Sequence, residues 1–305
     1  MHKNFKISDG KVELNGDSAT IQLFINPDDK EKETLINSYL LDEHTLNSCL
    51  DPDELGRVEF EPTHTAIIIK RPKRFSSPDN FLLKVASVGL FLFNDKLVIV
   101  LADGDVVFDG RKFSRLRSLQ DLFLKLISFY IQHFQDHLKA IQLMSDDLEK
   151  EISKAVSNKD LYHMFNLEKS LVYYLNSISS NMKVVEKIKN NAVKIGFTQE
   201  AIEILDDLVV ENSQCYEQAN TYAQVLSNLM DAWASIINNN LNIRIKALTI
   251  ISICIMLPTL IVSLFSMNVP LPIPFRDSLF PFWFVFGLAI TSIIIVFATW
   301  KIRKW

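Results

Sequence analysis

The sequence predicts an α+β membrane protein: an N-terminal cytoplasmic α/β domain, a long stalk helix that continues into a first transmembrane helix, and a second transmembrane helix at the C-terminal end. Three observations predict it. Short β-branched runs separated by turn residues occupy the first hundred or so positions, no Gly or Pro occurs between Thr198 and Leu257, and two long uncharged apolar runs lie near the C-terminus.

Residues 1–115 are assigned to the α/β domain. Within 58–70 and 82–102, "HTAIIIK", "SVGLFLF" and "KLVIVLAD" read as strands, because β-branched residues bounded by turn-formers fit a pleated, half-buried surface. Helical periodicity resumes near Ser114, with helices expected at 117–155 and 159–194 and a turn around Asn158, so 116–197 reads as a helical hairpin. Residues 198–268 form the stalk and first transmembrane helix. Thr198 follows Gly196 as an N-cap, and a helix from Thr198 to Asn268 would be roughly 105 Å long at 1.5 Å per residue. An external loop at 269–278, a second transmembrane helix at 279–300 and a basic tail at 301–305 complete the chain.

The run Ala247–Phe265 holds nineteen uncharged residues and Leu279–Trp300 holds twenty-two. A hydrocarbon core needs about 20 residues of helix, so each can span it. A buried hairpin in a soluble core is the alternative, but core helices are seldom apolar all round over this length. Arg244 and Lys246 precede the first run, Lys301, Arg303 and Lys304 follow the second, and the intervening loop carries Arg276 against Asp277. The positive-inside bias therefore places both termini in the cytoplasm of a multi-pass protein of the cell (inner) membrane. Trp283, Trp300 and Trp305 suit interfacial anchoring against lipid.

Composition excludes several functions. A net charge of -4 argues against a nucleic-acid partner, whose phosphates require clustered Lys and Arg. Cys49, Cys215 and Cys254 have neither a zinc spacing nor a disulfide pattern, and the N-terminus carries no apolar stretch of signal-peptide length. No GxxxxGK[ST] loop, acid-base pair or Ser-His-Asp arrangement is evident, so neither an enzyme nor an organic cofactor is expected. His133 and His137 stand one turn apart beside Asp136, a metal-compatible spacing that lacks a third ligand and reads as a solvated face. The run Asp146, Asp147, Glu149 and Glu151 is interspersed with lysines and reads as an ordinary charged surface.

The most informative pattern is a polar stripe. Asn242, Ile245, Thr249, Ser252, Met256, Thr259, Ser263 and Ser266 recur at alternating spacings of four and three and share one helix face; six of the eight are polar. The register extends back through Asn238, Ser235, Asp231, Asn228, Gln224, Thr221, Glu217 and Gln214. Leu226, Leu229, Met230, Trp233, Ile236 and Ile237 lie off that line and are free to bury. A packing seam of small residues is one explanation. A water-filled pore is the other, favoured because the stripe contains Met256 and bulky amides and continues below the membrane. One helix cannot enclose a pore, so this reading requires an oligomer.

The stretch "NNNLNIRIKALTIISICIMLPTLIVSLFSMN" resembles the first membrane helix of the CorA-type magnesium transporters. The matching residues are Asn242, Lys246, Leu248-Thr249-Ile250-Ile251, Pro258-Thr259 and Met267-Asn268, and "KIRKW" is similar to the family's basic tail. The resemblance implies a funnel-shaped homopentamer transporting divalent cations, with Mg2+ as transported ion and possible regulator. It implies ion selection at Ser266, Met267 and Asn268, a pore lined by the membrane half of the stripe, and a hydrophobic constriction at Ile245 and Leu248. The family's Gly-Met-Asn is Ser-Met-Asn here, so transport rate and ion choice are expected to differ. Asp231 resembles an acidic stalk residue of a regulatory metal site, but the partner acidic positions are Asn47 and Ser48, which predicts weak gating by cytoplasmic Mg2+. Transport of Zn2+, Co2+ or Ni2+, and a non-conducting membrane-anchored scaffold, remain the alternatives.

Overall fold

Alternating and β-branched runs in the first 101 residues build one seven-stranded sheet. The computed structural model describes residues 1–14, 19–73, 81–104, 106, 108, 111–152, 158–267 and 279–303. The strands are β1 (His2–Ser8), β2 (Lys11–Leu14), β3 (Ile21–Ile25), β4 (Arg57–Phe60), β5 (His64–Pro72), β6 (Val85–Phe93) and β7 (Leu97–Leu101). Their order is β2-β1-β3-β7-β6-β5-β4, and β3–β7 is the parallel pair in an otherwise antiparallel sheet. Interior β5 and β7 are buried along their whole length, and β7 reads as a continuous apolar run for that reason. The first three strands and the two helices that follow went unassigned in the sequence reading.

Those helices are α1 (Asp29–Asn37) and α2 (Glu43–Leu50). Asp28 and Glu31 form a reciprocal capping box on α1, and the Asp42 carboxylate accepts from Thr45 N at 2.9 Å to start α2. That backbone donor holds the Asp42 carboxyl below its usual range. Leu35, Leu46 and Cys49 pack with Phe24, Ala66, Ile68, Phe91, Val98 and Val100 on one face of the sheet. Gly89 makes the close approach of α2 possible, since a Cβ there would stand 2.8 Å from Cys49 Sγ.

The long helices α3 (Leu119–Ile152) and α4 (Asn158–Asn190) pack on β5. Buried polar groups fix α4 in place. Beyond the end of the β4 pairing, Asn181 Oδ1 accepts from Lys70 N at 2.7 Å and its Nδ2 donates to Lys70 O at 2.9 Å, replacing the missing strand partner. Ser180 Oγ accepts from Gly56 N at 2.7 Å, and Lys187 Nζ donates to Val58 O at 2.7 Å. The helix expected over 159–194 ends at Asn190. Asn191 leaves helical geometry, a short α5 (Ala192–Ile195) follows, and Gly196 closes it at φ 82°, a left-handed angle that favours glycine.

Thr198 Oγ1 then accepts from Ala201 N at 3.3 Å and opens α6 (Gln199–Phe265), a continuous helix of 67 residues. It stops short of the Asn268 expected from sequence. Ser266 N reaches both Val262 O and Ser263 O, and the Ser266 hydroxyl donates to Ser263 O at 2.8 Å, so the last turn tightens and closes. Asn268, the loop expected at 269–278, residues 153–157, Lys304 and Trp305 lie outside the described residues, and Asn158, expected in a turn, is the first residue of α4. The last helix, α7 (Phe280–Arg303), begins one residue later and runs three residues further than the expected span. The chain divides into two units, Met1–Met230 and Asp231–Trp305. Both α6 and α7 are long and apolar enough to cross a membrane, and 0% and 6% of their most apolar windows are buried, unlike a hairpin held in a soluble core.

Asn181→Ala leaves a buried amide and a buried carbonyl of Lys70 without partners. It should lower unfolding stability by about 2–4 kcal/mol at roughly 1–2 per orphaned group. Chemical denaturation of the full chain in detergent checks this, with exposed Glu203→Ala expected to change it by under about 0.5 kcal/mol.

Candidate ion pathway

The first half of α6 buries Ala201, Leu205, Leu208, Asn212, Cys215, Ala219 and Leu226, a series at spacings of three, four and seven. Contacts to the neighbouring helices hold this face inward. Asn212 Nδ2 donates to Ile178 O of α4 at 2.9 Å, Lys189 pairs with Asp206 at 2.7 Å, and Tyr222 OH donates to Gln142 Oε1 of α3 at 2.6 Å. The stripe from Gln214 to Ser266 lies roughly 150° away around a helix of 3.5 residues per turn. Every member of it is exposed.

The same phase relation holds in the second half. Ile250, Cys254, Leu257 and Ile261 continue the inward register and are half-buried, as is Phe265, whose ring meets Phe284 of α7 edge-on at 6.4 Å. On the opposite face Asn242, Ile245, Thr249, Ser252, Met256, Thr259 and Ser263 stay open. Leu248 is 63% exposed and stands beside the stripe rather than on it, and Met267 is 54% exposed in the bend after the helix. Of the residues expected to bury off the line, Leu226 and Trp233 do so fully, Leu229, Met230 and Ile237 partly, and Ile236 stays 46% exposed.

Hydroxyl geometry gives the stripe its chemistry. Thr249 Oγ1 donates to Ile245 O at 2.9 Å and Thr259 Oγ1 to Ile255 O at 2.6 Å. Each hydroxyl spends its single hydrogen on its own helix, so the oxygen presents lone pairs outward. Such a surface accepts hydrogen bonds, which suits a cation that arrives inside a shell of water with the water hydrogens pointing out. Thr259 follows Pro258, the interior proline of α6, which has no N–H to donate to the carbonyl four residues before it.

The positions expected to bear on regulation fall in different units, Asp231 in the second and Asn47 and Ser48 in the first. Asp231 is exposed, and its backbone carbonyl accepts from Ser235 Oγ at 3.1 Å. Asn47 is exposed on α2, while Ser48 is buried and its hydroxyl accepts from Arg57 at 3.1 Å. That guanidinium also pairs with Glu54 at 3.0 Å and Glu59 at 2.9 Å, so a fixed cation occupies this corner of the first unit. Arg57 was missed in the sequence reading, although its place between two glutamates was a visible signal. Among the described residues no three His, Cys, Asp or Glu side chains gather as a metal site. The three cysteines are free, and burial pushes Cys49 and Cys215 up to about 12.

Residues 23–304 match the family described as CorA-like Mg2+ transporter protein. The chain belongs to that family. Over 290 residues it is 25% identical to the cobalt/magnesium transport protein CorA of Methanocaldococcus jannaschii, covering 92% of this chain and 89% of that protein. The complete structure of the CorA magnesium transporter from the same organism matches with a TM-score of 0.79 at 21% identity, over 98% of this chain and 96% of that one. The full-length CmaX protein matches with a TM-score of 0.73 at 13% identity, over 100% of this chain and 97% of that one. The shared fold is the one seen here: an α/β N-terminal unit, a long helix and two apolar C-terminal helices. Membership of the CorA-like family places the chain among divalent-cation transporters rather than enzymes.

The His133–His137 pair has a structural use. The rings meet at 4.6 Å, and His137 Nδ1 bonds Tyr174 OH at 2.6 Å between α3 and α4. Burial pulls His137 down to about 4 from an ordinary 6.5, His133 adds to the shift and Asp136 opposes it. The unfolded chain therefore binds the proton first, so the stability held by the neutral ring is complete above about pH 6.5 and is lost as pH falls toward 4. Denaturation measured across that range should show a shallower acid loss for His137→Gln than for wild type; equal slopes would count against the assignment.

Proposed function

We propose that the chain conducts Mg2+ across the cell membrane through a pore enclosed by α6 helices of a homopentamer, with both termini in the cytoplasm. The observation that carries this reading is the stripe. A single helix has one face covered by its own chain over Ala201–Trp233 and partly over Ile250–Ile261, and leaves the opposite, hydrogen-bond-accepting face open from Gln214 to Ser266. Five copies placing that face inward would surround a hydrated ion with hydroxyls and amides rather than carboxylates, which is what a slowly dehydrating cation requires. Ser266, Met267 and Asn268 form the external mouth in this reading, and Ile245 with Leu248 forms the narrow apolar segment that closes by dewetting. The membrane potential supplies the driving force, about 2.3 kcal/mol per charge per 100 mV.

The Arg57 arrangement supports a further part of the proposal. With Asn47 and Ser48 in place of the acidic groups that the resemblance implies, and with Ser48 bonded to a guanidinium, those two positions offer Asp231 no carboxylate with which to share a metal. Gating by cytoplasmic Mg2+ is then weak, or uses other residues.

Flux into proteoliposomes tests both points. Mg2+ uptake should exceed that of Zn2+ and Co2+, and Asn268→Ala should lower it by at least about tenfold, one neutral ligand oxygen per subunit being lost. Preferred Zn2+ uptake would move the assignment to that ion, and no flux of any divalent cation would sink conduction altogether. In the same assay internal Mg2+ should slow uptake less than about twofold, with Asp231→Ala leaving that response unchanged. Strong closure abolished by Asp231→Ala would contradict the regulatory reading.

A further inference from the structure

Between Trp233 and Ile250, α6 is exposed at every position except half-buried Ile237. The uncharged run begins at Ala247, so the end of this segment stands at the membrane surface when α6 spans the bilayer. Apolar and basic side chains are mixed there. Ile243 is 57% exposed and Leu241 is exposed beside it, while Arg244 and Lys246 supply charge. The matching end of α7 repeats the mixture, with exposed Lys301 next to Ile302, which is 80% exposed.

Within the second unit these cations have no carboxylate near them. No Asp or Glu occurs between Asp231 and Asp277 or after Asp277. Asp231 precedes Arg244 by roughly 20 Å of helix at 1.5 Å per residue, more than twice the Debye length of about 8 Å at physiological salt. Asp277 lies beyond the whole first span. Arg244, Lys246 and Lys301 are not ion-paired among the described residues. Nor do the two on α6 share the stripe. At 3.5 residues per turn Arg244 lies roughly 130° from its midline and Lys246 roughly 80°, on opposite sides, so a pore lined by the stripe leaves both off its axis.

We infer that Arg244, Lys246 and Lys301 hold the headgroup phosphates of anionic phospholipids in the cytoplasmic leaflet. The inference rests on the reading that both helices cross the membrane with cytoplasmic ends; it needs neither conduction nor a particular ion. Charge selects the headgroup. A zwitterionic lipid carries its own ammonium and gains little from a second cation, whereas a net negative headgroup is attracted to uncompensated Lys and Arg beside a span. The apolar neighbours select a lipid over a soluble anion. Exposed Leu241, Ile243 and Ile302 offer acyl chains a surface, and the long stems of Arg and Lys lie along such a surface while their charged ends reach the phosphates.

Spin-labelled phosphatidylglycerol and phosphatidylcholine, each in trace amount in phosphatidylcholine bilayers holding the full chain, test this through the fraction of label immobilised by protein. Phosphatidylglycerol should associate at least about fivefold more strongly, the effect of one cation near the surface. In 1 M salt, where the Debye length is about 3 Å, the preference should fall below about twofold. Arg244→Gln, Lys246→Gln and Lys301→Gln together should lower it equally far, while Lys183→Gln, exposed in the first unit, should leave it unchanged. Immobilised phosphatidylcholine per chain should be the same in the triple variant and wild type, which reports intact spans. Equal association of the two lipids, expected where a second subunit covers these cations, would overturn the inference and leave the spans standing. A preference unchanged by the triple substitution would overturn it as well. No immobilised lipid of either kind would overturn the membrane-spanning reading together with the inference.

Discussion

Everything in this chain depends on one constraint: wherever α6 is covered, the covered side must be the one opposite the stripe. An unbroken 3.5-residue repeat satisfies it. Ala201, Leu205, Leu208, Asn212 and Cys215 bury in the first unit, and Ile250, Cys254, Leu257 and Ile261 keep the same phase beside α7 in the second. A single insertion or deletion would rotate the downstream stripe by about 100° and separate the two registers. The absence of Gly and Pro from Thr198 to Leu257 protects that phase, because either residue would loosen the helix that carries it.

The hydroxyl groups of α6 and α7 resolve a second demand. In lipid every donor needs an internal partner, and Thr291, Ser292 and Thr299 of α7 each donate to a carbonyl of their own helix. Thr249, Thr259 and Ser266 do the same on α6. On α7 this only hides a polar atom. On the stripe it also turns oxygen lone pairs outward, so one local bond serves helix stability and leaves the accepting surface that the proposed pathway needs. The soluble unit is built on a different logic, in which Asn181, Ser180 and Lys187 tie α4 to strands β4 and β5 and the loop before them.

Legibility in the sequence followed signal strength. The stripe, both apolar helices and the Thr198 cap were readable because periodicity accumulates over many residues, and β5 to β7 were readable because buried strands give unbroken apolar runs. Strands β1 to β3 escaped because β1 and β2 carry no buried residue, so their alternation is diluted by polar side chains on both faces. The α1 capping box of Asp28 and Glu31 was visible but followed by few apolar residues. At the candidate site, sequence located the exposed face but could not show that Ser48 is bonded to Arg57, since that contact depends on how α2 meets β4.

The central claim is that the open face of α6 lines a water-filled path. Single cysteines placed along 247–263 in a Cys254→Ser background, labelled from the aqueous phase by a charged thiol reagent in membranes, test it most directly. The account predicts rapid labelling at 249, 252, 256, 259 and 263, slowed by Mg2+, and little at 250, 257 and 261. Labelling with the opposite phase, or none at any position within the span, would contradict it.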